Sequence, residues 1–225
     1  MQHKLDVDAL LAHLPLFKHL DASQRTLMAQ ASQQIRVAKH GYVFHRGDPA
    51  NGLFIVAVGQ IKLAIPTQNG HEKVIEFFGA GSAFGEAVMF LDLPYKVQAQ
   101  ALADSLLIWI GKQEIYAALD RDPSFARRML AGLSLRLHGL IHDIETLNSH
   151  NARQRVIRYL LSQPQTAARI QLPVNKNVIA SKLGLTPETF SRILQQLSRD
   201  GLIEVLGRAV WLRDTRALTQ HLDAP

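Results

Sequence analysis

The sequence predicts an α+β fold: an antiparallel β sandwich or barrel, one long helix, and a small C-terminal domain built on a helix-turn-helix with a hairpin wing. Three observations predict it. Short β-branched and aromatic runs separated by turn residues fill residues 34–110, leucines recur at spacings of three and four from 130 to 147, and Thr186-Pro187-Glu188 opens an amphipathic segment that runs to Leu197. With 225 residues, 47% of them hydrophobic, the chain can bury one sizeable core and a second smaller one. It contains no cysteine, which excludes disulfides, thiolate-held zinc, iron–sulfur clusters and cysteine nucleophiles. No run approaches the roughly 18 apolar residues of a membrane span, and the N-terminus has no signal-peptide pattern, so the expectation is a cytoplasmic protein with no membrane partner.

Residues 7–33 read as short helices, with Val7, Leu10, Leu11 and Leu14 on one stripe and Leu27, Met28 and Ala31 on a second, after the polar start Asp21-Ala22-Ser23. The strands expected next are Ile35–Val37, Tyr42–His45, Leu53–Val58, Gln60–Ile65, Lys73–Phe78 and Leu106–Ile110. Between them lie Gly41, Gly47-Asp48-Pro49, Gly59, Asn69-Gly70 and Gly79-Ala80-Gly81. Asn69-Gly70 is the sharpest hairpin signal, because both residues tolerate the positive φ of a type I′ turn.

Leu130, Leu133, Leu137, Leu140, Ile144 and Leu147 form a heptad seam on a helix that Pro123 can start, and the seam predicts a homodimer. Arg127, Arg128, Arg136, His142, Asp143 and Glu145 fall off the seam and are expected in solvent, while a second side of the helix touches the β domain. Asn148–Asn151 is the polar junction before a stripe of Val156, Tyr159 and Leu160.

Charge is divided unevenly. Residues 151–225 hold 11 Lys+Arg against 5 Asp+Glu, so the whole net charge of +6 sits there and residues 1–150 balance at 14 and 14. A neutral body with a small basic domain points to a polyanion, of which nucleic acid is the commonest. Within that domain a short helix Asn177–Leu183 places Ala180 four residues before Gly184, a spacing that lets a second helix cross closely. Thr186 caps the second helix, Pro187 fits its first position and Glu188 favours its positive end. Phe190, Ile193, Leu194 and Leu197 then fall on one face, and Glu188, Ser191, Arg192 and Gln195 on the other. Arg can donate two bonds to guanine and Glu can accept from cytosine, so this polar face suits the major groove of double-stranded DNA. Glu188, Ser191 and Arg192 are the candidate base contacts, with Thr186 and Thr189 beside them. Lys182, Arg199 and Arg208 are candidate phosphate contacts. A hairpin of Leu202–Val205 and Ala209–Leu212 around Leu206-Gly207-Arg208 supplies the wing.

These features together resemble the CRP/FNR family of bacterial regulators over nearly the whole chain. The residues that carry the resemblance are the turn set Gly41, Gly47-Asp48, Gly59 and Gly70, the stretch Phe84-Gly85-Glu86, the long helix, and Glu188-Thr189-Phe190-Ser191-Arg192. The resemblance implies an N-terminal double-stranded β-helix, or jelly roll, of cyclic-nucleotide-binding type at 1–122. It also implies a dimerisation helix at 123–148 and a winged helix-turn-helix at 149–225 that binds promoters and recruits or blocks RNA polymerase. Glu, Ser and Arg at these helix positions resemble the branch whose half-sites read TTGAT.

Cyclic-nucleotide members follow Gly-Glu with an Arg-Ser or Arg-Thr pair; here the pair is Lys96-Val97, which lacks both the bidentate fork and the hydroxyl. The stretches Glu86–Asp92, Ile144–Leu147 and Arg155–Leu161 are similar to the nitric-oxide-responsive dissimilatory nitrate respiration regulators, a cysteine-poor subgroup for which haem b is the implied cofactor. Phe84, Glu86, Met89, Phe90, Lys96 and Val97 are the expected effector-pocket residues, and His13 is the weak candidate for an iron ligand. His40, His45 and His71, at or beside turns, read as solvent-facing, and His138 and His142, spaced as a metal pair but off the seam, read as surface residues ahead of a ligand role. Effector-free or cyclic-nucleotide control are the alternatives within the family. A cupin-like jelly-roll enzyme is the remote one, disfavoured because no His-x-His occurs.

Overall fold

The computed structural model describes residues 5–67, 72–166 and 168–223. The chain divides into two compact units, Met1–His138 and Gly139–Pro225, and the division falls inside the long helix.

In the first unit, α1 (Val7–His13) and α2 (Ala22–Ala31) precede the strands. Asp6 caps α1, and a capping box between Asp21 and Gln24 starts α2, as its polar opening predicts. The strands are β1 (Gln33–Val37), β2 (Tyr42–Phe44), β3 (Gly52–Val58), β4 (Gln60–Pro66), β5 (Glu72–Gly79), β6 (Ala83–Phe84), β7 (Gln98–Ala101) and β8 (Ser105–Gly111). α3 (Glu86–Phe90) lies between β6 and β7, and α4 (Lys112–Arg121) follows β8. Two antiparallel four-stranded sheets result, in the orders β1-β8-β3-β6 and β2-β7-β4-β5, which is the expected jelly roll. Gly59, at φ 96°, turns β3 into β4, and a Cβ there would come within 2.2 Å of the Ser105 hydroxyl. The Asn69-Gly70 turn, with Gly70 of the resemblance and His71, lies outside the described residues. The flanking strands pair up to Pro66 opposite Glu72.

β3 is buried at five successive positions, Gly52 to Val56, so it must be covered on both faces. α4 packs on β3 and β8 on one side. On the other, Phe44, Phe54, Phe78 and Phe84 bridge the two sheets with ring centroids 5.2–6.2 Å apart. β7 was not legible in the sequence, because Gln98-Ala99-Gln100-Ala101 carries no β-branched or aromatic residue. Its alanines are nonetheless fully buried, their small size letting the roll close.

α5 (Pro123–Ser149) begins at the expected proline. Phe125 and Met129 join the core of the first unit and Leu133 packs against it, which is the anticipated second side of this helix.

The second unit contains α6 (Ala152–Ser162), β9 (Arg169–Gln171), α7 (Lys176–Lys182), α8 (Pro187–Arg199), β10 (Ile203–Leu206), β11 (Ala209–Leu212) and α9 (Thr215–Asp223). Asn151 and Gln154 form a capping box that starts α6 immediately after the polar junction. The sheet order is β10-β11-β9, so the predicted hairpin acquires a third strand. Val156, Leu160, Ile179, Phe190, Leu197, Val210 and Leu218 are among the residues that close this smaller core.

Candidate nucleic-acid interface and effector pocket

α7 and α8 pack together and are joined by a turn whose hydrogen bonds fix its shape. Leu183 is the last cap of α7, Gly184 takes φ 67°, the Gly184 N–H donates to the Ser181 carbonyl at 3.1 Å, and the Leu185 N–H donates to the Ala180 carbonyl at 2.9 Å. That pair of bonds is a Schellman motif, which needs a left-handed residue at the position Gly184 occupies. Ala180 is fully buried at the crossing, as its spacing from Gly184 anticipates. Thr186 then caps α8 by accepting from the Thr189 N–H at 3.2 Å, with Pro187 at the first helical position.

Phe190, Ile193, Leu194 and Leu197 are buried, while Glu188 and Arg192 are exposed and Ser191 is half-buried. No ion pair joins Glu188 to Arg192 among the described residues, so this is not a helix face closed by its own salt bridge. The Glu188 carboxyl is held below the usual carboxylate range by its own backbone N–H and by the Thr186 hydroxyl, so it stays an acceptor at any physiological pH. Thr189 is half-buried, and its hydroxyl lies 3.1 Å from that of Thr186.

The candidate phosphate contacts are placed differently from one another. Arg199 is exposed in the last turn of α8. Lys182 forms an ion pair at 3.3 Å with Asp143 of α5, and Arg208 donates to the backbone carbonyls of Leu172 and Pro173. A cation read from sequence as free can thus be committed inside its own domain.

On α5, Leu130, Leu137 and Ile144 are 63%, 61% and 59% exposed, and Ile141 joins them on the same stripe. Leu133, Leu140 and Leu147 are half-buried. The six seam residues therefore divide into an exposed row and a half-buried row, of which Leu133 packs against the core of the first unit. Arg128 and Arg136, expected in solvent, are corrected. Arg128 bonds the Leu16 carbonyl and Asp122, while Arg136 turns inward because it shares a helix side with Met129 and Leu133.

The six expected effector residues fall in different surroundings. Phe84 and Met89 are fully buried parts of the core, and Phe90 stacks on Tyr116 of α4 at 5.9 Å. Lys96 is exposed and Val97 packs against the core. Glu86 is a buried carboxylate held by a cation. Its side chain is 7% exposed and one oxygen accepts from the Arg136 guanidinium, while Oε2 is buried without a partner. Arg136 also donates to the Ala83 carbonyl at 2.8 Å, lies 3.6 Å from Glu76, and covers the Phe78 ring at 5.1 Å. The neighbouring Tyr95 phenol is pushed up to about 12, by burial first and then by the Glu86 and Asp48 carboxylates.

A haem group does not fit this interior. His13 is exposed, with Nδ1 2.7 Å from the Ala9 carbonyl, and the other described histidines are exposed too, except the half-buried His150 beside Arg158 at the end of α5. Met28, Met89 and Met129 are locked in the core, and no group of metal-ligating residues occurs among the described ones.

Against known proteins, the cyclic nucleotide-binding domain family matches residues 34–122 and the Crp-like helix-turn-helix domain family matches residues 154–221. The structure of DNR from Pseudomonas aeruginosa is 35% identical, with 98% of this chain and 99% of that one covered and a TM-score of 0.52. The chain belongs to the CRP/FNR family of transcription regulators. FixK2 from Bradyrhizobium japonicum has a TM-score of 0.76 at 25% identity over 86% of this chain and 98% of its own. The transcriptional activator protein anr of Pseudomonas aeruginosa is 25% identical over 216 residues, 92% of this chain and 88% of its own length. As a CRP/FNR regulator the protein binds DNA through its helix-turn-helix and is not an enzyme, and the likeness to DNR supports the resemblance to the nitrate respiration subgroup.

Sequence reasoning missed Arg136, although its position seven residues after the buried Met129 is a signal that it shares that inward side. Replacing Arg136 with Met should lower the unfolding free energy of the CRP/FNR sensor by about 3 kcal/mol, because Glu86 is left as a buried unpaired charge. Adding Glu86→Gln should recover part of that loss in urea unfolding. Equal stability of the single and double variants would show that no charge had been stranded.

Proposed function

We propose that the protein binds a TTGAT-type palindrome as a homodimer, each copy contributing Glu188, Ser191 and Arg192 as base contacts, and that it acts in the cytoplasm on transcription by RNA polymerase. The polar face of α8 carries this reading. Its start is fixed by a cap and a proline, its reverse side is buried, and its ionised Glu188 and unpaired Arg192 lie four residues apart. The dimer is supported by the outer row of α5, where four large apolar side chains remain in solvent in a single chain. Among the described residues no helix is long and apolar enough to cross a membrane.

The subgroup resemblance makes nitric oxide the signal we favour over a cyclic nucleotide, whose phosphate would find neither Lys96 nor a hydroxyl at Val97 inside the roll. The sensor as folded does not fit haem.

Arg192→Ala should weaken binding to the palindrome by about 1–3 kcal/mol per half-site while leaving affinity for unrelated duplex unchanged. Titration of both duplexes measures the ratio, and an unaltered ratio would remove Arg192 from base reading. Leu137→Lys should give a folded monomer in sedimentation, with much weaker operator binding, since the side chain lies in solvent in the isolated chain. A persistent dimer would place the interface elsewhere. Haem titration followed in the Soret region tests the misfit: no saturable binding is expected, and saturable one-to-one binding would overturn it while leaving the DNA-binding reading intact.

A further inference from the structure

The wing turn joins β10 to β11 through Gly207 and Arg208, with Leu206 opposite Ala209. From this turn the Arg208 side chain folds back onto the loop between β9 and α7. Nε and Nη2 donate to the Leu172 carbonyl at 3.1 and 2.7 Å, and Nη2 also donates to the Pro173 carbonyl. The backbone answers in the other direction, the Leu172 N–H donating to the Arg208 carbonyl at 2.8 Å. Leu172 and Val174 are buried anchors on either side of Pro173, and Asn175 is the N-terminal cap position of α7. The loop that Arg208 holds is therefore the segment that sets where α7 begins, and α7 is the helix against which α8 packs.

We propose that Arg208 is a positioning residue that joins the wing and the helix-turn-helix into one rigid DNA-reading head, and that it is not a phosphate contact. The inference rests on the DNA-binding reading above. Guanidinium geometry is what makes the brace, because its planar fork reaches two successive carbonyls at once, whereas the point charge of a lysine cannot span both with fixed direction. The two roles separate by salt dependence. A cation that neutralises a phosphate contributes about 0.9 to the slope of log K against log salt concentration, and a brace contributes nothing to that slope.

The experiment compares wild type, Arg208→Lys and Arg208→Ala on one duplex that the wild type binds, specific or not, over a series of salt concentrations. The brace predicts that both variants lose about tenfold in affinity at every salt concentration with the slope unchanged, charge retention in the lysine variant giving no rescue. A slope reduced by about one in Arg208→Ala, with affinity and slope restored in Arg208→Lys, overturns the proposal in favour of a phosphate contact. Hydrogen exchange of the free protein supplies a readout that needs no DNA. The Leu172 amide and the first turn of α7 should exchange several-fold faster in Arg208→Lys while the β-roll amides stay as in wild type, and unchanged exchange also overturns the brace. Failure of wild type to prefer the palindrome counts against the TTGAT reading alone, because the slopes and the exchange rates do not depend on it.

Discussion

The ion pair between Arg136 and Glu86 fixes the rotation of α5 about its own axis, and the presentation of the helix depends on that rotation. Successive helical residues are about 100° apart, so a helix held with Arg136 inward must hold Leu137 outward. The same phase turns Phe125, Met129 and Leu133 toward the core of the first unit and leaves Leu130, Ile141 and Ile144 in the outer row. Apolar packing alone would tolerate a modest roll of the helix, because a leucine surface is forgiving. A guanidinium that bonds a buried carboxylate and the Ala83 carbonyl, over an aromatic face, is not. The orphaned Oε2 of Glu86 makes the pair a place of stored cost as well as of order, and the proposed dimer seam lies one residue away from it.

The reading head is ordered by a different device, the termination of helices. Glycine turns end both α7 and α8 with the same hydrogen-bond pattern, in which Gly201 and Leu202 donate to Ser198 and Leu197 as Gly184 and Leu185 do to Ser181 and Ala180. Each turn satisfies carbonyls that a helix end would otherwise leave bare, and each hands the chain on in a fixed direction. The start of α8 is equally determined, since Thr186 caps it and Pro187 cannot sit deeper in the helix. A polar face of three or four residues can address base edges only if its height and rotation along the groove are set this tightly.

Local chemistry made much of this legible in the sequence. The Thr-Pro-Glu start, the alternating faces of α8 and the leucine spacing of α5 each follow from neighbours within one or two turns. Six strands were visible because β-branched and aromatic runs stand between turn residues, and β7 was not, because Gln and Ala say nothing until the roll closes on them. The partners of the expected effector residues are set by tertiary contacts. Phe84 joins an aromatic group whose other members come from β2, β3 and β5, and Phe90 finds Tyr116 on α4, which no spacing foretells. The partners of the cations are likewise tertiary. Residue type shows that Arg136, Lys182 and Arg208 carry charge, but only the fold shows that each has a partner.

That last point bears on how a basic domain can attract DNA and read it with different residues. Of the 11 cations after residue 150, Arg153, Lys182 and Arg213 pair with carboxylates, whereas Arg155, Arg158, Arg169 and Arg208 are held by carbonyls, a histidine or a tryptophan ring. A neutral partner orients a cation without cancelling it, and pairing with a carboxylate leaves the domain sum unaltered, so the excess of +6 survives every one of these contacts. Long-range attraction depends on that sum and on its spread over the surface. Short-range recognition depends on which cations can still change partners, and Arg192 on α8 is one that the fold leaves uncommitted beside the ionised Glu188. Internal commitment of seven of these cations therefore limits where a phosphate or a guanine can be bound without weakening the field that brings the duplex to the surface.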